Sequence, residues 1–101
     1  MANQISMTPQ EMTKAASKAS RTADTLQNNV IDEMEKLLKT LETSWKGEAI
    51  DGYKARYKQI KKALDGGVAL LHEIEKNLET SRDIIEETDR TISKKFKNLG
   101  N

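Results

Sequence analysis

The sequence predicts an all-α protein, an antiparallel helix-turn-helix hairpin that dimerises into a four-helix bundle. Its 101 residues are 36% hydrophobic and 33% charged, with 4% aromatic residues and one proline, a composition rich in helix formers. Apolar residues recur every three or four positions in two long stretches, which is the period of a helix face. Because only a short turn separates the two stretches, we expect the helices to run antiparallel.

The first helix is predicted over residues 8–43. Thr8 can cap its N-terminus, Pro9 suits the first helical position, and Glu11 completes a capping box. The small side chains at the start of its apolar stripe permit close approach of another helix, whereas the later ones are bulkier. The stripe comprises Met12, Ala16, Ala19, Ala23, Leu26, Val30, Met34, Leu37 and Leu41.

A turn is predicted over residues 44–47, with Gly47 as the helix breaker, and a second helix over residues 48–97. Gly66 and Gly67 lower the helix propensity, but the second apolar stripe continues in phase across them, which favours a weak point or close-packing site inside one helix over a break. Residues 1–7 and 98–101 are expected to be flexible ends of a single domain spanning residues 1–101. The second stripe is nearly heptad-spaced and comprises Ile50, Tyr53, Tyr57, Ile60, Leu64, Val68, Leu71, Ile74, Leu78, Ser81, Ile85, Thr88, Ile92, Phe96 and Leu99.

Two helices share only one seam, so a lone hairpin leaves part of each stripe in water. Association into a four-helix bundle removes that exposure. The predicted dimer seam contains Leu64, Leu71, Ile74 and Leu78. Residues 46–62 are mainly basic, residues 63–89 mainly acidic, and residues 90–101 carry only basic charge. An antiparallel homodimer brings opposite charges together, whereas a parallel one stacks like charges.

Composition argues against several classes of function. Seventeen basic and sixteen acidic residues give a formal net charge of +1, which is not the basic balance of a nucleic-acid-binding domain. With no cysteine and one histidine, His72, we expect no metal site and no cofactor. The sequence offers no nucleophile-and-base pair and a straight hairpin offers no deep cleft, so we expect no enzymatic activity.

Membrane contact is not expected either. The longest apolar run, Val68–Leu71, is far too short to span a bilayer, and both helices are heavily charged. The first residues lack the basic and apolar regions of a secretory signal peptide, so any export would follow a leaderless route.

The turn carries the most specific motif in the chain, Ser44-Trp45-Lys46-Gly47-Glu48-Ala49. A Trp-Xaa-Gly turn near the middle of a hundred-residue helical hairpin resembles the WXG family, the early-secreted-antigen-like proteins exported by type VII (ESX) secretion. The resemblance implies that Trp45 and Gly47 form a turn and export motif. On physical grounds alone, Trp45 also fits a purely structural role, packed against both helix ends.

The C-terminal segment extends the resemblance. Family members from low-GC Gram-positive bacteria carry a pattern of hydrophobic and acidic residues that Ile85, Asp89, Ile92 and Phe96 match. These four residues form one helix face, and the alternative to an export motif is that a second protomer covers that face. The mycobacterial-type motif, a tyrosine followed four residues later by an acid, is absent.

The resemblance therefore implies a protein that leaves a Gram-positive bacterial cytoplasm by a leaderless route and works through protein–protein interaction. The expected partners are a second copy of the chain, a secretion-system membrane ATPase and larger effector proteins. In the family, the Trp-Xaa-Gly turn of one subunit and the tail of the other are thought to form a composite signal. The alternative is a non-secreted cytoplasmic adaptor or chaperone for a larger effector, because its apolar stripes would look the same.

Overall fold

The computed structural model describes residues 6–45 and 47–99, and it confirms the all-α hairpin. The first arm consists of helix α1 (Pro9–Thr25), a π-helical segment (Leu26–Ile31) and helix α2 (Asp32–Ser44). The second arm is one long helix, α3 (Glu48–Leu99). The molecule measures 81 × 27 × 14 Å, so it is a rod two helices wide and one helix thick.

The helix ends differ slightly from the prediction. Ser44 still belongs to the first arm, whereas the sequence placed it in the turn. Helix α3 continues through Lys97 to Leu99, so residues 98 and 99 are helical where a flexible end was expected. Helices commonly vary by one or two residues at their ends, because the terminal turn lacks half of its hydrogen bonds. The remaining parts of the expected flexible ends, residues 1–5 and 100–101, lie outside the described residues.

The start of α1 has the predicted capping box. The Glu11 backbone N–H donates to the Thr8 hydroxyl at 3.1 Å, and the Thr8 N–H donates to the Glu11 carboxylate at 2.8 Å. Pro9 occupies the first turn, where its missing N–H leaves no intrahelical bond unmade.

Helix α1 packs closely along α3 because most side chains on its inward face are small. Met12, Ala16, Ala19 and Ala23 are buried there, and the three alanines let the two backbones approach. At the end of this seam, a Cβ placed on Gly67 would lie 3.3 Å from Leu26 Cδ2. The structure thus supports a close-packing site at the glycine pair, and α3 runs unbroken through it.

The π-helical segment changes which residues of the first arm face α3. The expected stripe passed through Val30 and Leu37, but the structure fully buries Ile31 and leaves Leu37 59% exposed, with Leu38 half-buried instead. The reason is the wider turn, in which the Asp32 N–H bonds the Gln27 carbonyl five residues back. The segment therefore inserts one extra residue, so Ile31 and Leu38 face α3 where Val30 and Leu37 were expected.

Two polar contacts between the arms show how α3 is aligned with the first arm. Near the turn, Lys54 Nζ lies 2.6 Å from the Glu42 carboxylate, and at the far end Arg82 Nη1 donates to the Thr13 hydroxyl at 3.2 Å. Such exposed pairs stabilise the fold little, but they show that α3 passes the start of α1 near residue 82. Every α3 residue from 86 to 99 is exposed. Residues 91–99, which we call the C-terminal overhang, extend beyond the first arm.

Candidate interaction surfaces

The Trp-Xaa-Gly turn is built by the ends of α2 and α3. Trp45 leaves the helix in an extended conformation, with φ −126° and ψ 106°, while its N–H still donates to the Leu41 carbonyl at 2.7 Å. Gly47 has a φ of +123°, in the region that residues with a Cβ rarely adopt. The chain therefore needs glycine at this position to reverse direction, whatever further part the residue has in binding. Lys46, between them, lies outside the described residues.

The indole of Trp45 is not sealed into the hairpin. Its ring centroid lies 5.7 Å from that of Tyr53 with the planes tilted by 53°, and 42% of the residue remains exposed. This tilted geometry is favourable for aromatic pairs. The pair holds the indole in a defined position at the end of the rod while one side stays available to a partner.

An apolar groove, which we call the turn groove, opens beside this aromatic pair, with a volume of about 510 Å³. It lies where α2 diverges from α3, in contrast to the close, alanine-lined contact of α1. Among the residues that the structure describes, Arg56 is the one charged residue that lines it. The lining residues are Met34, Leu37, Leu38, Leu41, Trp45, Tyr53, Arg56, Tyr57 and Ile60.

Tyr57 closes the inner end of the turn groove. Its side chain is buried, and its hydroxyl lies within hydrogen-bond distance of the Ile31 carbonyl, at 3.3 Å, and the Glu35 carboxylate, at 3.2 Å. Burial, together with the neighbouring Glu35 carboxylate, raises the pKa of Tyr57 above its ordinary value. The tyrosine thus ties α3 to the junction between the π-helical segment and α2.

The residues of the C-terminal motif lie at the other end of the rod. Ile85 is half-buried against the first arm and Asp89 is exposed, while Ile92 and Phe96 are 47% and 71% exposed. Ile92 and Phe96 belong to the overhang and have apolar side chains with little cover from the first arm. Asp89 lines a shallow depression together with Pro9, at the N-terminal end of α1. A carboxylate is favoured near that end by the helix dipole, which gives Asp89 an intramolecular setting that the sequence did not reveal.

The predicted dimer seam divides between two environments. Leu64, Leu71 and Leu78 are half-buried along the side of α3 that faces the first arm. Ile74 is 40% exposed, in a row with Tyr53 and Ile60, each 48% exposed. We call Tyr53, Ile60 and Ile74 the outer row.

Two exposed apolar residues beside the outer row were missed. Leu70 and Ile84 are 55% and 60% exposed, but the single stripe drawn along α3 omitted them. Their spacing of fourteen residues is two heptads, so a search for a second heptad row next to the first would have found them. The turn groove was missed as a site because a one-dimensional stripe does not show where two helices diverge.

Within one chain, the hairpin does not bring the Trp45–Gly47 turn and the Ile85–Phe96 motif together. They lie towards opposite ends of a rod 81 Å long. Across residues 6–45 and 47–99, no cluster of His, Asp and Glu side chains is arranged to hold a metal ion. None of the helices in these ranges combines the length and apolarity needed to cross a membrane.

Comparisons with known proteins agree with this architecture. The profile of the WXG100 family, described as proteins of 100 residues with WXG, matches residues 4–90. Protein YukE of Bacillus subtilis (strain 168) is 24% identical over 97 residues, covering 96% of this chain and 99% of YukE. The crystal structure of EsxA from Geobacillus thermodenitrificans (crystal form I) superimposes with a TM-score of 0.79 at 25% identity, covering 91% of this chain and 98% of EsxA. The chain therefore belongs to the WXG100 family, and its relatives are of the low-GC Gram-positive type that its C-terminal pattern implied.

Proposed function

We propose that this protein is a substrate and component of a type VII (ESX) secretion system, exported without a leader and acting as an antiparallel homodimer. It works by binding other proteins and catalyses no reaction. The observation that carries the proposal is the WXG100 hairpin itself, with its Trp45–Gly47 turn held at one end and an apolar overhang at the other. Family membership supports the export route, and the proposed partners are the secretion-system membrane ATPase and larger effectors.

The exposed apolar surface supports the homodimer. Apolar residues that the first arm covers only in part run along much of α3: the outer row, Leu70 and Ile84 are each between 40% and 60% exposed. Apolar surface of this extent is unfavourable in water, and a second hairpin laid alongside would remove it. In such a bundle the predicted seam residues Leu64, Leu71, Ile74 and Leu78 would line or flank the shared core.

The antiparallel arrangement also supplies a reason for two separated motifs. When two rods lie side by side in opposite directions, the turn of one protomer lies near the overhang of its partner. The proposed export signal therefore combines Trp45 and Gly47 of one protomer with Ile85, Asp89, Ile92 and Phe96 of the other. Each dimer would carry this composite signal at both ends.

Secretion of single-residue variants tests the export role. We expect Trp45→Ala and Asp89→Ala to stop accumulation of the intact protein in the culture medium, while circular dichroism shows unchanged helix content. Glu79→Ala is the matched control, because Glu79 is another exposed acid on α3. Export should also require an ESX-type membrane ATPase.

The same assay separates the proposal from a cytoplasmic adaptor or chaperone. If the wild-type protein stays inside cells that possess an active ESX system, the export proposal is wrong and the adaptor role replaces it. If the Asp89 variant is exported normally, Asp89 is not part of the proposed signal.

A further inference from the structure

The π-helical segment gives α2 two apolar rows, one facing inward and one facing outward. Ile31 and Leu38 point into the hairpin, while Leu37 is 59% exposed in the turn groove. A regular helix with the phase of α1 would have turned Leu37 towards α3 instead. The extra residue of the π-helical segment is therefore what leaves Leu37 outside the intramolecular seam.

Two side-chain contacts hold this irregular segment in place. The Gln27 amide donates to the Asp32 carboxylate at 3.0 Å across its length, and the Tyr57 hydroxyl bonds the Ile31 carbonyl at its end. Wide turns of this kind are uncommon and are frequent at functional sites. The segment is therefore a defined part of the hairpin, and it sets the direction of every α2 side chain that follows.

We infer that the π-helical segment divides the first arm into two parts with different partners: α1 packs within its own chain, and α2 receives a second copy of the chain in the turn groove. This inference rests on the proposed homodimer and adds a location to it. The dimer contact would then include Met34, Leu37 and Leu41 of the first arm, none of which the predicted seam contained.

The shape of the exposed surface favours a second copy as the occupant. The turn groove continues directly into the outer row, because Tyr53 and Ile60 belong to both. The combined surface follows α3 well past the groove, so its complement is a long apolar rod. The hairpin itself is such a rod, and a twofold axis lets the same surface serve on both protomers.

The register of such a dimer supports the same occupant. The midpoint of α3 (Glu48–Leu99) falls between residues 73 and 74, and a twofold axis there sets residues 87–94 of one chain opposite residues 53–60 of the other, the part of α3 that lines the turn groove. This stretch carries exposed Ile92, the acids Glu87 and Asp89 and the bases Arg90 and Lys94. Ile92 would face the turn groove, and the two carboxylates would lie near Arg56, for which no ion pair is present among the described residues.

Sedimentation equilibrium of Leu37→Glu tests the location. We expect the dimer to dissociate at about tenfold or more higher concentration than wild type, because one large apolar contact is lost and a charge is buried. Thr40→Glu is the matched control, since it adds the same charge at an exposed position of the same helix. Leu37→Ala should weaken the dimer in the same direction without adding charge.

The outcomes separate this inference from the homodimer itself. A wild-type protein that sediments as an 11.4 kDa monomer at high concentration overturns both. A different result would overturn only the placement of α2 in the interface. That result is a wild-type dimer whose dissociation constant changes no more with Leu37→Glu than with Thr40→Glu.

Deletion variants test the role of the π-helical segment independently. Removing Asn29 takes out the extra residue, so the first arm can become a regular helix while the residues on either side keep the faces that they present to α3. We therefore expect the helix content to stay close to that of wild type and the dimer dissociation constant to stay within about threefold of it. Lys18 is an exposed residue of the regular helix α1. Removing it rotates the residues before the deletion by about 100° relative to those after it, which should disrupt the packing of the hairpin. Equal damage from both deletions would show that the segment does not carry an extra residue in solution.

Discussion

At the scale of single residues, Tyr57 and Tyr53 show how one residue type serves two purposes on neighbouring turns of α3. Tyr57 is buried and hydrogen-bonded to the first arm, whereas Tyr53 is half exposed and contacts Trp45. The sequence placed both on one apolar stripe. It could not distinguish them, because which of them meets the first arm depends on the π-helical segment opposite.

Replacing Tyr57 by phenylalanine tests the buried hydroxyl. Tyr57→Phe keeps the ring and removes the hydrogen bond, so we expect a loss of about 1 kcal/mol in the free energy of unfolding. Tyr53→Phe is the control and should melt like wild type, since its hydroxyl has no hydrogen-bond partner among the described residues. Denaturant unfolding of both variants makes the comparison, and equal stability of the two would show that the Tyr57 hydroxyl contributes nothing.

The raised pKa of Tyr57 predicts a pH dependence with a defined sign. Because the pKa is higher in the folded state than in the unfolded chain, the folded state favours the protonated phenol. Its contribution to stability is complete below the ordinary tyrosine pKa of about 10 and is lost as the pH rises through the folded value. We expect the stability difference between wild type and Tyr57→Phe to shrink between neutral pH and strongly alkaline pH, as measured by thermal melts. A constant difference would contradict the shift.

Gly47 gives a second prediction at this scale. Its φ of +123° means that a side chain strains the backbone, although among the described residues, apart from the glycine's chain neighbours, no atom lies within 4 Å of the position that a Cβ would occupy. We expect Gly47→Ala to lower the free energy of unfolding by about 1–3 kcal/mol, so loss of export in this variant would not by itself identify a binding role. Trp45→Ala, which leaves the backbone free to keep its conformation, is the better probe of the motif. A Gly47→Ala protein as stable as wild type would show that the turn relaxes to another conformation.

At the scale of elements, the glycine pair in α3 offers a matched comparison. A Cβ on Gly66 meets open space, whereas one on Gly67 meets Leu26 at 3.3 Å. Alanine is favoured over glycine inside a helix by about 1 kcal/mol. We therefore expect Gly66→Ala to raise the melting temperature clearly and Gly67→Ala to raise it less or lower it. Equal gains from both variants would mean that α1 does not approach α3 closely at this point.

Much of the element structure could be predicted from the sequence because it follows from local chemistry. The start of α1 depends on three neighbouring residues, and the turn depends on Gly47, so both are visible in the sequence. The α3 stripe was readable because its heptad spacing runs on without interruption. The sequence did not show which side of α2 faces α3, because Val30 and Leu37 form as regular a stripe as Ile31 and Leu38. Only packing against α3 decides between them.

At the scale of the whole molecule, the orientation of the proposed dimer is directly measurable. The native chain has no cysteine, so Thr43→Cys places a single fluorophore pair at the turns. In an antiparallel dimer centred on α3 the two labels lie roughly 60 Å apart, and energy transfer should be weak. A parallel dimer would hold them roughly 20 Å apart and give strong transfer, which would contradict the proposed arrangement. Glu73→Cys, near the proposed axis, is the control that reports dimer formation in either orientation.

The antiparallel pairing within one chain also has a mechanical consequence. The start of the first arm and the overhang lie at the same end of the rod, and among the described residues the outermost hydrogen bond between the arms joins Arg82 to Thr13. A force that pulls those two ends apart loads the contacts one after another, from the packing of Pro9 near Asp89, through Arg82 and Thr13, to Lys54 and Glu42 beside the turn. The hairpin therefore opens like a zipper rather than by shear, so the force needed at any moment is that of a single helical turn of packing and not that of the whole seam.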